Sequence, residues 1–82
     1  MNSTDTEARL KAIFGAVLEL PPADVTASLC PENCAKWDSL NHIHLVNGIE
    51  EEFDIQLAFE DQMGLRSFEQ AASIVAKTVA AA

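Results

Sequence analysis

The chain has 82 residues, 49% of them hydrophobic and 22% charged, and thirteen acidic against five basic side chains leave a net charge of −8. Folding a chain of this size buries about 60% of the surface it would otherwise expose, against an ordering cost on the order of 120 kcal/mol, which one compact core offsets and two cannot. The composition excludes wholesale disorder, and the charge opposes binding to nucleic-acid phosphate or anionic lipid while speeding encounter with basic protein surfaces.

Residues 1–82 therefore read as a single domain. The opening MNSTDTEARL is polar and lacks the apolar stretch of a targeting segment. No apolar run reaches the ~18 residues of a membrane span. Two cysteines, Cys30 and Cys34, do not make a disulfide framework. The expectation is a reducing, cytoplasmic compartment without membrane insertion.

Residues 1–5 read as a frayed leader, with Ser3, Thr4 and Asp5 as cap candidates. A helix follows, because Leu10, Ile13, Phe14, Val17 and Leu18 recur at steps of three and four. Leu20-Pro21-Pro22 stops it, since the residue before a proline is pushed out of helical space. Residues 19–38 are the longest irregular stretch and carry all three prolines, with Val25 and Leu29 as anchors. A loop of that length in a small domain is functional or packs by its own side chains.

A second helix is signalled from Ser39 to Phe53, with Asp38 and Ser39 both suitable N-caps. Asp54 to Ala58 reads as a loop anchored by Ile55 and Leu57. A short helical piece over Phe59–Gly64 is ended by Gly64. The last helix runs from a Ser67 cap to near Ala80. Ser67 and Gln70 form a capping-box pattern, and Phe68, Ala71, Ala72, Val75 and Val79 form the stripe. No segment alternates with period two. The fold expected is all-α: a small four-helix bundle of three main helices and one short one, with a long first loop.

Placed at about 100° per residue, the second helix divides into arcs. Leu45, Val46, Ile49 and Phe53 form a core arc with His42 among them. Asn41, Gly48 and Glu52 form another. Leu40, Ile43, His44, Asn47, Glu50 and Glu51 form a third, greasy at its N-terminal end and acidic at its C-terminal end. A partner-binding face has this character. The alternative is that the loop 19–38 folds over Leu40 and Ile43. The acids near the helix C-terminus oppose its dipole, a local penalty that fits a partner-facing role.

Ser39 stands where this helix begins. Free N–H groups and the helix dipole favour an anion there, so a phosphate ester on Ser39 would be well placed. The plainer alternative is a serine that only caps.

The run Asp38-Ser39-Leu40, followed at its proper distance by Glu50-Glu51-Glu52-Phe53-Asp54-Ile55, resembles the signature of acyl carrier proteins. The resemblance covers the chain from Leu10 to about Val79. It implies a carrier that catalyses nothing itself. Ser39 would carry a 4′-phosphopantetheine arm in phosphodiester linkage. A phosphopantetheinyl transferase would install that arm from coenzyme A, with Ser39 Oγ as nucleophile and Asp38 supporting the serine and the transferase's magnesium. The thiol of the arm, rather than Cys30 or Cys34, would hold an acyl or aminoacyl group as a thioester for loading and acyl-transfer enzymes. Leu40, Ile43, His44, Asn47, Glu50 and Glu51 would be the docking face, on a protein expected to be monomeric.

The departures from the family pattern point away from ordinary fatty-acid synthesis. Lys36-Trp37 stands where housekeeping members have Gly-Ala. His44 replaces an acid, and Asn47 replaces an apolar residue. Trp-Asp-Ser-Leu followed by histidines is more similar to stand-alone carriers of specialised pathways: polyketide extender units, polysaccharide acyl modification or amino-acid cargo. The Gly-Gly-His or Gly-Gly-Asp run of peptidyl carriers is absent.

Cys30, Cys34, His42 and His44 do not match a zinc-ligand spacing. Residues 42 and 44 lie about 200° apart on a helix and do not converge on one ion. No metal is expected, and half-buried thiols are the plainer reading. Trp37 is expected to pack under the long loop and fix the chain before Ser39. The rival from another class is a non-modified acidic helical adaptor that binds a basic partner. A small metal-binding regulator is the weaker rival.

Overall fold

The structure is a computed structural model that describes residues 3–81. Four helices run in the order α1 (Ser3–Leu18), α2 (Ser39–Phe53), α3 (Phe59–Met63) and α4 (Phe68–Ala81), and two 3₁₀ turns, Pro22–Asp24 and Pro31–Asn33, lie within the long first loop. No strand occurs among the described residues. The helix α1 begins earlier than the apolar stripe alone indicates. Ser3 to Asp5 are helical rather than a leader, and residues 1 and 2 of that expected leader lie outside the described residues.

The two longest loops start from helix ends of the same type. Glu19 after α1 and Asp54 after α2 both take left-handed backbone conformations. The amides that follow turn back into the helix: Leu20 N–H donates to Gly15 O at 2.9 Å, and Ile55 N–H to Glu50 O at 3.2 Å. These closures satisfy carbonyls that a helix end leaves without partners. The prolines at 21 and 22 then keep α1 from continuing, and Pro22 opens the first 3₁₀ turn instead.

The core is built on α1, which packs against both α2 and α4. Leu10, Phe14 and Leu18 of its stripe are fully buried. They meet Leu45, Val46 and Ile49 of α2, Phe68, Ala71 and Val75 of α4, and the loop anchors Val25 and Leu29. Ile13, Val17, Phe53 and Val79 pack at the edge of this cluster. The total accessible surface is 4997 Å², close to the roughly 4,800 Å² expected of a folded chain of this size.

A ladder of rings crosses the core. Phe68 meets Phe14 edge-to-face at 5.1 Å, and Phe14 meets Trp37 edge-to-face at 5.3 Å. Trp37 is stacked on His42 at 6.3 Å. Such pairs contribute about 0.5–1.5 kcal/mol each beyond the area they bury. The ladder ties α4, through α1, to the two residues that flank the start of α2.

The long loop holds itself in place. Asn33 accepts from Cys30 N–H at 3.0 Å and donates to Ser28 O at 3.0 Å. The loop also caps α4, since Phe68 N–H donates to Leu29 O at 2.8 Å and Glu69 N–H to Ala27 O at 3.2 Å. Ser67 completes that cap by accepting Gln70 N–H at 3.1 Å. The loop is thus tied to the start of α4, and Leu40 and Ile43 stay uncovered, 62% and 55% exposed.

Candidate functional site

The start of α2 is the most elaborated corner of the molecule. Asp38, extended and just outside the helix, is the N-cap: its Oδ1 accepts Asn41 N–H at 2.8 Å. Its carbonyl takes His42 N–H at 2.8 Å. Asn41 braces the same turn by donating its side-chain N–H to Lys36 O at 2.7 Å. Because Asp38 fills the capping role, Ser39 becomes the first residue of the helix. It is exposed, and no hydrogen-bond partner for its hydroxyl occurs among the described residues. Of the two cap candidates, the acid caps and the serine keeps its oxygen free.

Trp37 fixes the approach to this corner. Its ring is buried, and its Nε1–H donates to His42 Nδ1 at 3.1 Å. The indole N–H can only donate, so Nδ1 is the acceptor and the imidazole proton sits on Nε2. There it donates to Gln62 O at 2.9 Å. The half-buried histidine expected on the core arc therefore has both nitrogens engaged and links the start of α2 to α3.

A surface groove of about 490 Å³ opens beside Ser39, between the end of the long loop and α3. Ser39 and His42 form one wall, Pro31 and Glu32 the rim, and Met63, Leu65 and Arg66 the other wall. It combines apolar side chains with one acid and one cation, next to an oxygen that nothing else uses.

The other residues of the expected docking arc divide into two groups. Leu40, Ile43, His44, Asn47 and Glu51 are exposed. Glu50 is half-buried, and its Oε2 accepts Leu57 N–H at 2.9 Å. Its carboxylate thus has a partner inside the molecule. Two large apolar residues that the sequence pattern did not single out are also exposed: Phe59 at 76% and Met63 at 56%. Together with Leu40 and Ile43 they are the exposed large hydrophobics of the described residues. The missing signal was periodicity, which a five-residue helix is too short to display.

The cysteines lie elsewhere. Cys34 is buried and Cys30 half-buried, both as free thiols. Among the described residues no group of three or more His, Cys, Asp or Glu could hold a metal ion. No described helix is long and apolar enough to cross a membrane.

The family model described as the phosphopantetheine attachment site matches residues 8–75, and the chain belongs to that family. The chain is also similar to the solution structure of the holo acyl carrier protein from Geobacter metallireducens. That match has a TM-score of 0.81 and 26% sequence identity over 93% of this chain and 87% of that one. No curated protein matches the chain. Family membership decides between the carrier and the adaptor that the sequence left open: the chain is an acyl carrier protein whose cofactor is a covalently attached phosphopantetheine.

Proposed function

We propose that Ser39 is the attachment residue and that the chain carries an acyl or aminoacyl intermediate of a specialised biosynthetic pathway. The observation that carries this reading is the division of labour at the start of α2, where Asp38 caps and Ser39 Oγ has no other use. A phosphopantetheinyl transferase acts on coenzyme A. Ser39 Oγ loses its proton and bonds to the phosphorus that bears the pantetheine, and the nucleotide half leaves with the broken phosphoanhydride oxygen. The resulting phosphodiester lies at a helix N-terminus, where free amides and the dipole favour its charge. Asp38 supports the step as a carboxylate one residue away, beside the transferase's magnesium.

Leu40, Ile43, His44, Asn47, Glu50 and Glu51 serve partner enzymes that load, extend or remove the cargo. Catalysis lies with those enzymes. The Lys36-Trp37-Asp38-Ser39 run, His44 and Asn47 support a stand-alone carrier for polyketide extender units, polysaccharide acyl modification or amino-acid cargo. Residues 1–82 act as a single, monomeric carrier domain in the cytoplasm. Replacing Ser39 with alanine tests the assignment: modification by coenzyme A and a broad-specificity transferase disappears while the helical fold remains.

A further inference from the structure

Arg66 stands apart from the other cations of the chain. Arg9 is paired with Glu52 at 2.8 Å, and Lys36 with Glu19 at 2.6 Å. Arg66 is the only lysine or arginine between Lys36 and Lys77, on a chain of net charge −8. Yet it forms no ion pair among the described residues. Its backbone N–H donates to Gly64 O at 2.9 Å, and its side-chain Nε–H to Met63 O at 3.4 Å. These bonds hold the residue at the end of α3 and leave the two outer nitrogens of its guanidinium without an acceptor among the described residues. The side chain is exposed and lines the groove on the wall opposite Ser39.

Among the residues that line this groove, Arg66 is the only lysine or arginine. His42 has both ring nitrogens engaged, one with Trp37 and one with Gln62. Glu32 at the rim is an acid. Asp38, which borders the adjoining hollow together with Ser39, already places a carboxylate at the start of α2, where it accepts Asn41 N–H. That carboxylate uses much of what the helix start offers an anion. A second negative charge, bonded to Ser39 Oγ, meets two acids at close quarters and one free cation.

We infer that Arg66 is a cofactor-contacting residue, whose guanidinium takes the phosphodiester of the arm across the groove. This rests on the reading of Ser39 as the attachment residue. A phosphodiester keeps two unesterified oxygens, and a guanidinium presents paired N–H donors that match them. The groove, of about 490 Å³, has the apolar side chains of Pro31, Met63 and Leu65 around it, and partial exclusion of water strengthens such a pair. A carboxylate on the cargo is the other source of an anion. The phosphodiester is favoured because it is bonded to the groove's own wall, whatever cargo the arm holds.

The test compares the apo protein with the holo protein free of cargo, prepared with coenzyme A, magnesium and a broad-specificity phosphopantetheinyl transferase. The chain has two arginines, Arg9 and Arg66. In a proton–nitrogen NMR spectrum the Arg66 Nε–H signal should move on modification, while that of Arg9, held by Glu52, stays in place. In phosphorus NMR of the holo protein, Arg66→Gln should shift the phosphodiester signal, and about 0.5 M salt should move the parent's signal toward that of the variant. Arg66→Gln should leave the apo thermal midpoint nearly unchanged and lower the holo midpoint by about 3 °C. Arg66→Lys, which keeps the charge without the fork, should lower it less.

An Arg66 Nε–H signal that stays in place, with an unchanged phosphorus signal in Arg66→Gln, overturns the inference and leaves Ser39 as the attachment residue. Movement that appears only after the arm is loaded with a malonyl group, and not with an acetyl group, assigns Arg66 to a cargo carboxylate and overturns it equally. A raised KM for the transferase in Arg66→Gln, with the phosphorus signal and the holo midpoint unchanged, assigns Arg66 to the modifying enzyme instead and also overturns it. Failure of the parent protein to be modified at all defeats the attachment reading itself, a different result from all of these.

Discussion

Asp38 Oδ1 accepts the backbone N–H of Asn41 at 2.8 Å, and this bond releases the neighbouring Ser39 from capping. One carboxylate thus has two separable duties: holding the first turn of α2 and standing beside the reacting serine. Asp38→Ala should lose about 1 kcal/mol of stability, the usual cost of an N-cap. Asp38→Asn, which still offers an oxygen to Asn41, should keep most of that stability. Both variants should be modified more slowly, because both lack the negative charge. Urea unfolding and modification kinetics on the pair separate the duties. A fully active Asp38→Asn would remove the carboxylate from the chemistry.

The Trp37–His42–Gln62 chain of hydrogen bonds should be stiff and costly to break. His42→Phe keeps a ring on the core arc but leaves the indole N–H of Trp37 without its acceptor. A buried donor left in that state costs about 1–3 kcal/mol. The Gln62 carbonyl also loses the shorter of its two bonds and keeps only that from Leu65 N–H at 3.4 Å, so amide exchange in α3 should quicken more than in α1. Equal protection of α3 in the variant and the parent would show that His42 does not hold it.

Gly48 records how closely α1 and α2 approach. A Cβ at this position would lie 3.0 Å from Ile13 Cγ2. Ile13 is branched at Cβ and stiff at χ1, so that methyl does not swing aside freely. Gly48→Ala should therefore be neutral or destabilising, even though alanine gains up to about 1 kcal/mol in helix propensity. In an Ile13→Ala background the same substitution should stabilise. A double-mutant cycle by urea unfolding reads the coupling. Purely additive effects would mean that the helices yield at no cost.

Glu19 and Lys36 pair at 2.6 Å across the ends of the long loop. Hydrogen bonding to Lys36, and then its charge, hold the Glu19 carboxyl below the ordinary glutamate range. The folded pKa lies below the unfolded one. The pair's contribution is therefore present above the unfolded pKa and is lost as pH falls through the folded one. Both side chains are exposed, so the effect on stability is small. The clean readout is a carboxyl NMR titration, in which Glu19 titrates below the ordinary glutamate range and Lys36→Met brings it back up. No change in the Glu19 midpoint would mean that the pair does not persist in solution.

Much of this architecture was legible in the residues. The bounds of α2 follow from a strong cap signal and an unbroken apolar period, and the structure starts and ends it at Ser39 and Phe53. Leu10, Phe14 and Leu18 announced the buried face of α1, and Val25 and Leu29 announced the loop anchors. Other features depend on three-dimensional facts that no local pattern encodes. Asp38 and Ser39 are both good caps, and only backbone geometry decides which one serves. Glu50 reads as a solvent-facing acid until the chain returns Leu57 N–H to it. Whether the long loop covers Leu40 and Ile43 depends on where its carbonyls find donors, and they find them at the start of α4.

The most direct test is the intact mass of the protein after incubation with coenzyme A, magnesium and a broad-specificity phosphopantetheinyl transferase, beside the Ser39→Ala variant. The account predicts the gain of one phosphopantetheine group by the parent and none by the folded variant. Modification of Ser39→Ala, or no gain by the folded parent with several transferases, would contradict it.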